Sequence, residues 1–500
     1  MHPICQFAVR VSLLASSAVS LAYADAPHQY RVSIDPGMNR MAVEARFASP
    51  VDTVAARSGD AGEFLIDVRD CDDASPIRLR NQRMMLPAGG IRCMNYTVDL
   101  DEAARSVDHN RSLAPGNMVV SPALWLWRPT LKGDAEIHMR FDLPDDVQFA
   151  VPWQRIGNEA HAYRLGHSPE SSNAPAVFGK FDYSEIEVPG ATLRVSVLRG
   201  NEQAGDAMDS AAINEWLRTI ATDVSLAYGR FPNPSPQVVV IPVDQKRGSD
   251  SAVPFGRVVR DGGEAIELFV DRHQPMDAFL GDWTATHEFS HLMLPYVGPA
   301  HRWVSEGFAQ YYQNVLLARS GTYEPLDAWQ KIYAGLERGR QSRPELSPNE
   351  ATERGLRNAR MKIYWSGAAI ALMADVTLRE RSNGEMTLDD VMGRLQDCCL
   401  PSDRTWSGPE LFAKLDELAG TPVFVPLYRR YADTAGFPDT RPLFERLGFV
   451  VSDDSLRVKR GGELQHIRTA ITRAEGAHRQ QLAGHRPARP GRAGGAAGSR

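Results

Sequence analysis

The sequence predicts a multidomain α+β protein: a β-sandwich-like N-terminal domain, then a unit in which an α/β layer leads into a mainly helical part. Three observations carry this expectation. Short alternating stretches recur from Tyr30 to about Gly200, the period changes to helical at AAINEWLRTIATDVSLAYG, and the apolar strand QVVVIPV then precedes a run of helical segments reaching about Leu418. With 43% hydrophobic and 24% charged residues, the 500-residue chain has a globular composition and room for two or three domains.

Residues 1–24, MHPICQFAVRVSLLASSAVSLAYA, combine Arg10, an apolar run from Val11 to Ala22, and small residues at Ala22 and Ala24. This is the pattern of a signal peptide, with cleavage expected after Ala24 and the mature protein exported to the periplasm or secreted. The apolar run is too short to span a bilayer and no later run is longer, so no membrane span is expected. Cys5 precedes the apolar region, which excludes a lipid anchor there.

The β-rich domain is placed at 25–200 on YRVSID, MAVEARF, EFLIDV, EIHMRFDL and ATLRVSVL, separated by Pro, Gly, Asp and Asn. The catalytic unit is placed at 201–450. It opens with a helix, continues through QVVVIPV and EAIELFVD, and has its clearest helix in MKIYWSGAAIALMADVTLRER. Residues 451–500 hold ten Lys/Arg against four Asp/Glu and end in HRPARPGRAGGAAGSR, so a basic disordered tail is expected there. The formal charge of −6 gives no reason to expect a nucleic-acid partner. In an oxidising compartment Cys71 and Cys93 are expected to pair, with buried free thiols as the alternative. Cys398 and Cys399 are adjacent, so their pairing needs a strained link and cross-pairing stays open.

The chemistry is concentrated in HEFSH, residues 287–291, and WVSEGFAQYY, which begins at 303. Histidines four apart lie one turn above each other on a helix, so His287 and His291 can reach one ion. Glu288 points to a neighbouring part of the same face, where it can hydrogen-bond a metal-bound water without ligating. Catalytic zinc usually takes three protein ligands and keeps a position open for water. Glu306 supplies the third: Pro295 and Gly298 break the first helix, YVGPAHR turns the chain, and a second amphipathic helix opens beside it. One zinc ion per chain is expected.

HEFSH, followed after fourteen residues by Glu306 in WVSEGFAQYY, resembles the gluzincin metallopeptidases, whose third zinc ligand is a glutamate on a following helix. Aminopeptidase N-like enzymes share the E-G-F-A surroundings but have a longer gap. KIYWSGAAIALMADVTLRERSNGEMTLDDVMGRL is similar to the glycyl aminopeptidase family, in which Y-x-K-G-A opens a helix and S-L-D-D-V follows it; RFDLPDDVQFAVPW resembles that family's first domain. The resemblance covers most of residues 28–450. It implies a thermolysin-like catalytic domain and a role for the Tyr364 phenol as a donor to the oxyanion. Three departures stand out. Ser366 replaces the motif lysine, Gly262, Gly263 and Glu264 only partly echo an upstream G-G-x-E-H stretch, and too little strand-like sequence follows Gly448 for the family's PDZ domain.

The function expected is therefore zinc-dependent hydrolysis of peptide bonds in a peptide or protein substrate, with aminopeptidase action as one form. A binding or scaffold protein and a hydrolase of non-peptide bonds are the competing classes. Glu288 argues against a purely structural metal, which does not require it. The strand EAIELFVD is read either as an edge that pairs with substrate or as an ordinary buried strand. His301 and Arg302 are read as solvated loop residues, with substrate-carboxylate binding as the alternative. Trp283, Tyr311 and Tyr312 are read as packing residues, and Asp375 and Asp389 as helix and turn residues. Mass spectrometry of the exported chain should find Asp25 at its N-terminus; any other first residue contradicts the cleavage site.

Overall fold

The computed structural model describes residues 26–169, 174–200, 208–245, 251–355, 357–452 and 455–473. The expected signal peptide lies outside these, as do residues 474–500. No helix among the described residues is long and apolar enough to cross a membrane.

Alternation in HQYRVSI puts Tyr30, Val32 and Ile34 on one buried face, and the same pattern in the neighbouring strands builds a seven-stranded sheet. Its order is Gln154–Arg155, Ala162–Leu165, Ile137–Asp142, His28–Ile34, Arg40–Val51, Ile91–Asp99, Leu65–Asp70. A three-stranded sheet, Asn117–Val120, Ala176–Gly179 and Gln148–Ala150, shares its core, with Phe141 of the large sheet on Phe149 of the small one. Burial of Trp125, Trp127 and Trp153 fills the centre. Cys71 is bonded to Cys93, with Cα atoms 5.5 Å apart, which ties the end of Leu65–Asp70 to its neighbour Ile91–Asp99. Cys398 is bonded to Cys399, so the adjacent pairing forms and cross-pairing does not.

A second, five-stranded sheet has the order Asp182–Val188, Ala191–Val197, Gln237–Val243, Glu264–Asp271, Phe255–Arg260. The middle three run parallel and the two outer pairs are antiparallel. QVVVIPV sits at the centre, buried almost throughout, as a parallel strand covered on both faces should be. Helix Ser210–Val224 lies in the crossover from Ala191–Val197 to its parallel neighbour Gln237–Val243. Two strands upstream of residue 200 thus belong to this sheet, Ala191–Val197 pairing with Gln237–Val243, and the sheet draws on the segment assigned by sequence to the first domain. EAIELFVD is an interior strand with partners on both sides, so it is not the edge; that place belongs to FGRVVR, Phe255–Arg260.

The turn between these two strands is wedged against the first domain. Gly262 has φ +72°, and a Cβ on Gly263 would lie 2.0 Å from the Pro152 carbonyl oxygen, an approach only glycine permits. The Trp153 indole donates to the Asp261 carbonyl (3.0 Å), and Arg194 donates to the carbonyls of Val151, Pro152 and Trp153. The first domain thereby fixes the edge strand of the second sheet.

Beyond the sheet the chain is helical. Helix Arg302–Arg319 crosses helix Arg360–Arg381 at a glycine pair: a Cβ on Gly307 would lie 2.2 Å from the Gly367 Cα. Helix Pro325–Gln341 packs Gly335 and Gly339 on Trp365 in the same way. Part of the expected tail is folded. Leu456–Val458 pairs with Phe449–Val451, and helix Gln465–Thr472 buries Ile467 and Ile471, four apart on one face. The Gly307–Gly367 contact sets the distance between the two long helices, so Gly307→Ala should destabilise the protein by about 1–3 kcal/mol through overpacking. Chemical denaturation measures this, and an unchanged midpoint contradicts the close crossing.

Candidate metal centre

Helix Thr284–Ser290 carries HEFSH and tightens into a 3-10 turn at His291–Met293. Its start is tied to the edge-strand segment by Asp282, which accepts from the Thr284 N–H (2.8 Å) and from the Val253 N–H (3.1 Å). The rings of His287 and His291 lie 4.8 Å apart. Both Nε2 atoms are 3.5 Å from the same atom, Glu306 Oε2.

Each of the other atoms in this group is already occupied. His287 Nδ1 meets Gln313 Oε1 (3.2 Å), His291 Nδ1 meets Ser305 Oγ (3.0 Å), and Glu306 Oε1 accepts from Arg302 Nε (2.8 Å). With Nδ1 donating in both rings, both Nε2 lone pairs face Oε2. Oε2 is buried and has no hydrogen-bond partner. A buried carboxylate oxygen left in this way is costly unless a cation completes it. Atoms bound to one tetrahedral zinc at about 2.0–2.1 Å are about 3.3 Å from each other; the two histidine–glutamate distances are 3.5 Å, and all three ligand atoms lie within 4.8 Å of one another. His287, His291 and Glu306 therefore fit a zinc ion with protein ligands of the right type and number, and leave room for a fourth.

Burial opposes ionisation of Glu306, but the two imidazoles facing it outweigh burial and hold its pKa well below the usual carboxylate range. Burial pulls the His287 pKa down, while Glu306 and Glu288 pull it up more strongly. Burial raises the pKa of Glu288, against the two histidines. Glu288 stands beside the ligand group without joining it, and the edge strand comes so close that a Cβ on Gly256 would lie 2.6 Å from Glu288 Cγ.

Tyr364 comes from the opposite side, on helix Arg360–Arg381, its ring stacked on His287 at 5.9 Å and 19°. Burial raises its pKa, so the phenol remains a proton donor at neutral pH. Glu288, His291, Glu306 and Tyr364 line a cleft of about 450 Å³ with the edge strand as one wall.

The sequence-predicted residues His287, Glu288, His291, Glu306 and Tyr364 thus converge. Other expectations separate. Glu264, in the partial G-G-x-E-H echo, is buried in an ion pair with Arg260 and accepts from Asn233, so it does not face the cleft. His301 packs toward Tyr428, whereas Arg302 opens the second helix and lines the cleft. Tyr311 and Tyr312 are core residues, but Trp283 is 45% exposed with its ring edge-on to His287. Asp375 and Asp389 form buried ion pairs with Arg379 and Arg319. The sequence reading missed Ser305, Gln313 and Gly256. Gln313 was within reach, since it lies seven residues from Glu306 and so two turns along the same face.

Residues 297–370 match the family model for M61 glycyl aminopeptidase. This stretch contains Glu306 and Tyr364. The chain is a zinc metallopeptidase. Among solved structures, the metallopeptidase is similar to an aminopeptidase N family protein from Idiomarina loihiensis, at 16% identity and a TM-score of 0.60, covering 85% of this chain and 79% of that one. An M1 zinc metallopeptidase from Deinococcus radiodurans matches at 15% identity and a TM-score of 0.48, covering 82% and 93%. No curated protein matches the metallopeptidase in sequence. The first of these likenesses supports the fold: a β-sheet N-terminal region followed by a helical C-terminal part.

Because Ser305 and Gln313 orient the two imidazoles, Ser305→Ala and Gln313→Ala should each weaken zinc binding by about 10–100-fold. Competition against a chelator of known affinity reads this directly; wild-type affinity in both variants contradicts the orienting role.

Proposed function

We propose that the protein is an exported zinc-dependent peptidase that holds one zinc ion per chain and cleaves peptide bonds. The observation that carries this reading is Glu306 Oε2, buried, unpartnered and equidistant from two imidazole nitrogens at 3.5 Å. Export rests on the signal-peptide pattern of residues 1–24. The thermolysin-like form of the catalytic unit rests on the edge strand that runs past the HEFSH helix. Aminopeptidase action is the specific form that the family resemblance and the relatives favour.

The roles follow from position. His287, His291 and Glu306 would hold a zinc ion, which would supply Lewis-acid polarisation of the carbonyl and make water easier to deprotonate. Glu288 is buried at the cleft beside the ligands, where its carboxylate takes the proton of the attacking water and returns it to the leaving amine. Tyr364 donates its hydroxyl proton in a hydrogen bond to the oxygen of the carbonyl as that oxygen gains charge. Phe255–Arg260, at the sheet edge, offers backbone groups to an extended substrate. The tyrosine ring stacked on His287 keeps bulk water from that side of the cleft.

Elemental analysis should find about one zinc per chain, and Glu288→Gln should keep it while lowering turnover on a peptide panel by about 10²–10⁴-fold. Tyr364→Phe should keep both zinc and melting temperature and lower the single-turnover rate by about 2.7–4 kcal/mol. A normal rate with a lowered melting temperature assigns Tyr364 to packing. Cleavage of esters or epoxides with peptides left intact overturns the peptidase reading.

A further inference from the structure

The cleft is lined by three arginines, Arg257, Arg260 and Arg302, and, among the described residues, by only two acidic side chains, Glu288 and Glu306. Both acids already have a proposed role: Glu306 belongs to the ligand group and Glu288 is the proposed base beside it. Of the arginines, Arg260 is buried, paired with Glu264 and donating to the carbonyls of His291 and Leu294. Arg257 is paired with Glu267, a fully buried carboxylate behind the edge strand. These two cations are neutralised from outside the cleft.

Arg302 differs. Its side chain is 61% exposed, and its one carboxylate partner among the described residues, Glu306, is reached through Nε. The planar guanidinium has five N–H donors; Glu306 engages it through Nε and the Tyr364 phenol also interacts with it, which leaves further donors on the cleft side. Arg360, one turn before Tyr364 on its helix, is exposed and adds a second positive charge near the phenol. A guanidinium fixed by these two neighbours and keeping N–H donors on its exposed side is pre-organised for a planar carboxylate.

We propose that Arg302 is a specificity-determining residue that binds a carboxylate of the substrate close to the scissile bond. The proposal rests on the peptidase reading and names its substrate class: peptides with an acidic side chain near the cleaved bond, or short peptides whose free C-terminus reaches the same place. Both sources present the same planar anion. An exposed, half-engaged arginine beside the oxyanion donor also has a competing role, in which it acts through Glu306 and Tyr364 on every substrate alike. The two roles separate in the kinetics, because binding a substrate carboxylate changes KM for carboxylate-bearing peptides only.

The test uses zinc-loaded enzyme and a series of matched peptides. Each carries Glu or Gln at one position, and each is made with a free or an amidated C-terminus. In the wild type, one position or the free terminus should improve kcat/KM by about 10–100-fold through KM, the scale of a charge-assisted hydrogen bond. Glu against Gln reports the side chain, and acid against amide reports the terminus. In Arg302→Gln that advantage should shrink to about threefold or less, and Arg302→Lys should restore part of it, with every variant compared at full zinc loading because Arg302 also holds Glu306. Equilibrium binding of the same peptides to zinc-loaded Glu288→Gln, with and without Arg302→Gln, should give the same preference without turnover. No carboxylate preference in the wild type overturns the proposal, as does a preference that survives Arg302→Gln or an equal loss of kcat on every peptide. Failure to cleave any peptide counts against the peptidase reading instead, and the binding arm still decides the role of Arg302.

Discussion

One buried carboxylate oxygen organises the catalytic half of this protein. Glu306 Oε2 faces two imidazole nitrogens and accepts no hydrogen bond, in a place from which water is largely excluded. Such an atom is costly in a folded core unless a cation completes it. The protein supplies everything else. Arg302 holds the second oxygen of Glu306, and Gln313 and Ser305 hold the far nitrogens of the histidines. Four of these groups lie on one helix, Arg302–Arg319, so a single element orients all three ligands.

The reach of that helix depends on small residues. Gly307 is next to Glu306, and Gly367 lies three residues after Tyr364, so the glycine contact where the helices cross is also what brings the phenol to the ligands. Gly256 does the same for the edge strand, which approaches the Glu288 side chain where a methyl group would collide. The first domain takes part through Trp153 and Pro152, against which Gly262 and Gly263 turn the hairpin that ends the edge strand. Glu288, the proposed ligands and the Tyr364 phenol are thus placed by three close approaches at glycines, each of which leaves no room for a side chain.

Much of the site was legible because its chemistry is local. The i, i+4 histidines, the intervening Glu288 and a carboxylate at the opening of the next helix are read by period and spacing alone, whereas Tyr364 needed the family resemblance. Pairing across the sheet was not legible. EAIELFVD and FGRVVR both read as strands, but which of them is the edge depends on distant partners that alternation does not encode. The same holds for Asp182–Val188 and Ala191–Val197, which look like the strands before them and yet join the second sheet. In the region after residue 450, basic composition masked Ile467 and Ile471, whose burial against the helical core makes residues 465–472 a folded helix. Arg302 was read as a loop residue because the helix start was placed too late; in the first turn of the helix it reaches Glu306 four residues on.

X-ray absorption at the zinc edge of the loaded protein tests the central claim most directly. A first shell of nitrogen and oxygen only, at about 2.0–2.1 Å, with the outer-shell scattering of two imidazoles, is the result that His287, His291 and Glu306 predict. Sulfur at about 2.3 Å contradicts that ligand set, and so does any number of imidazoles other than two.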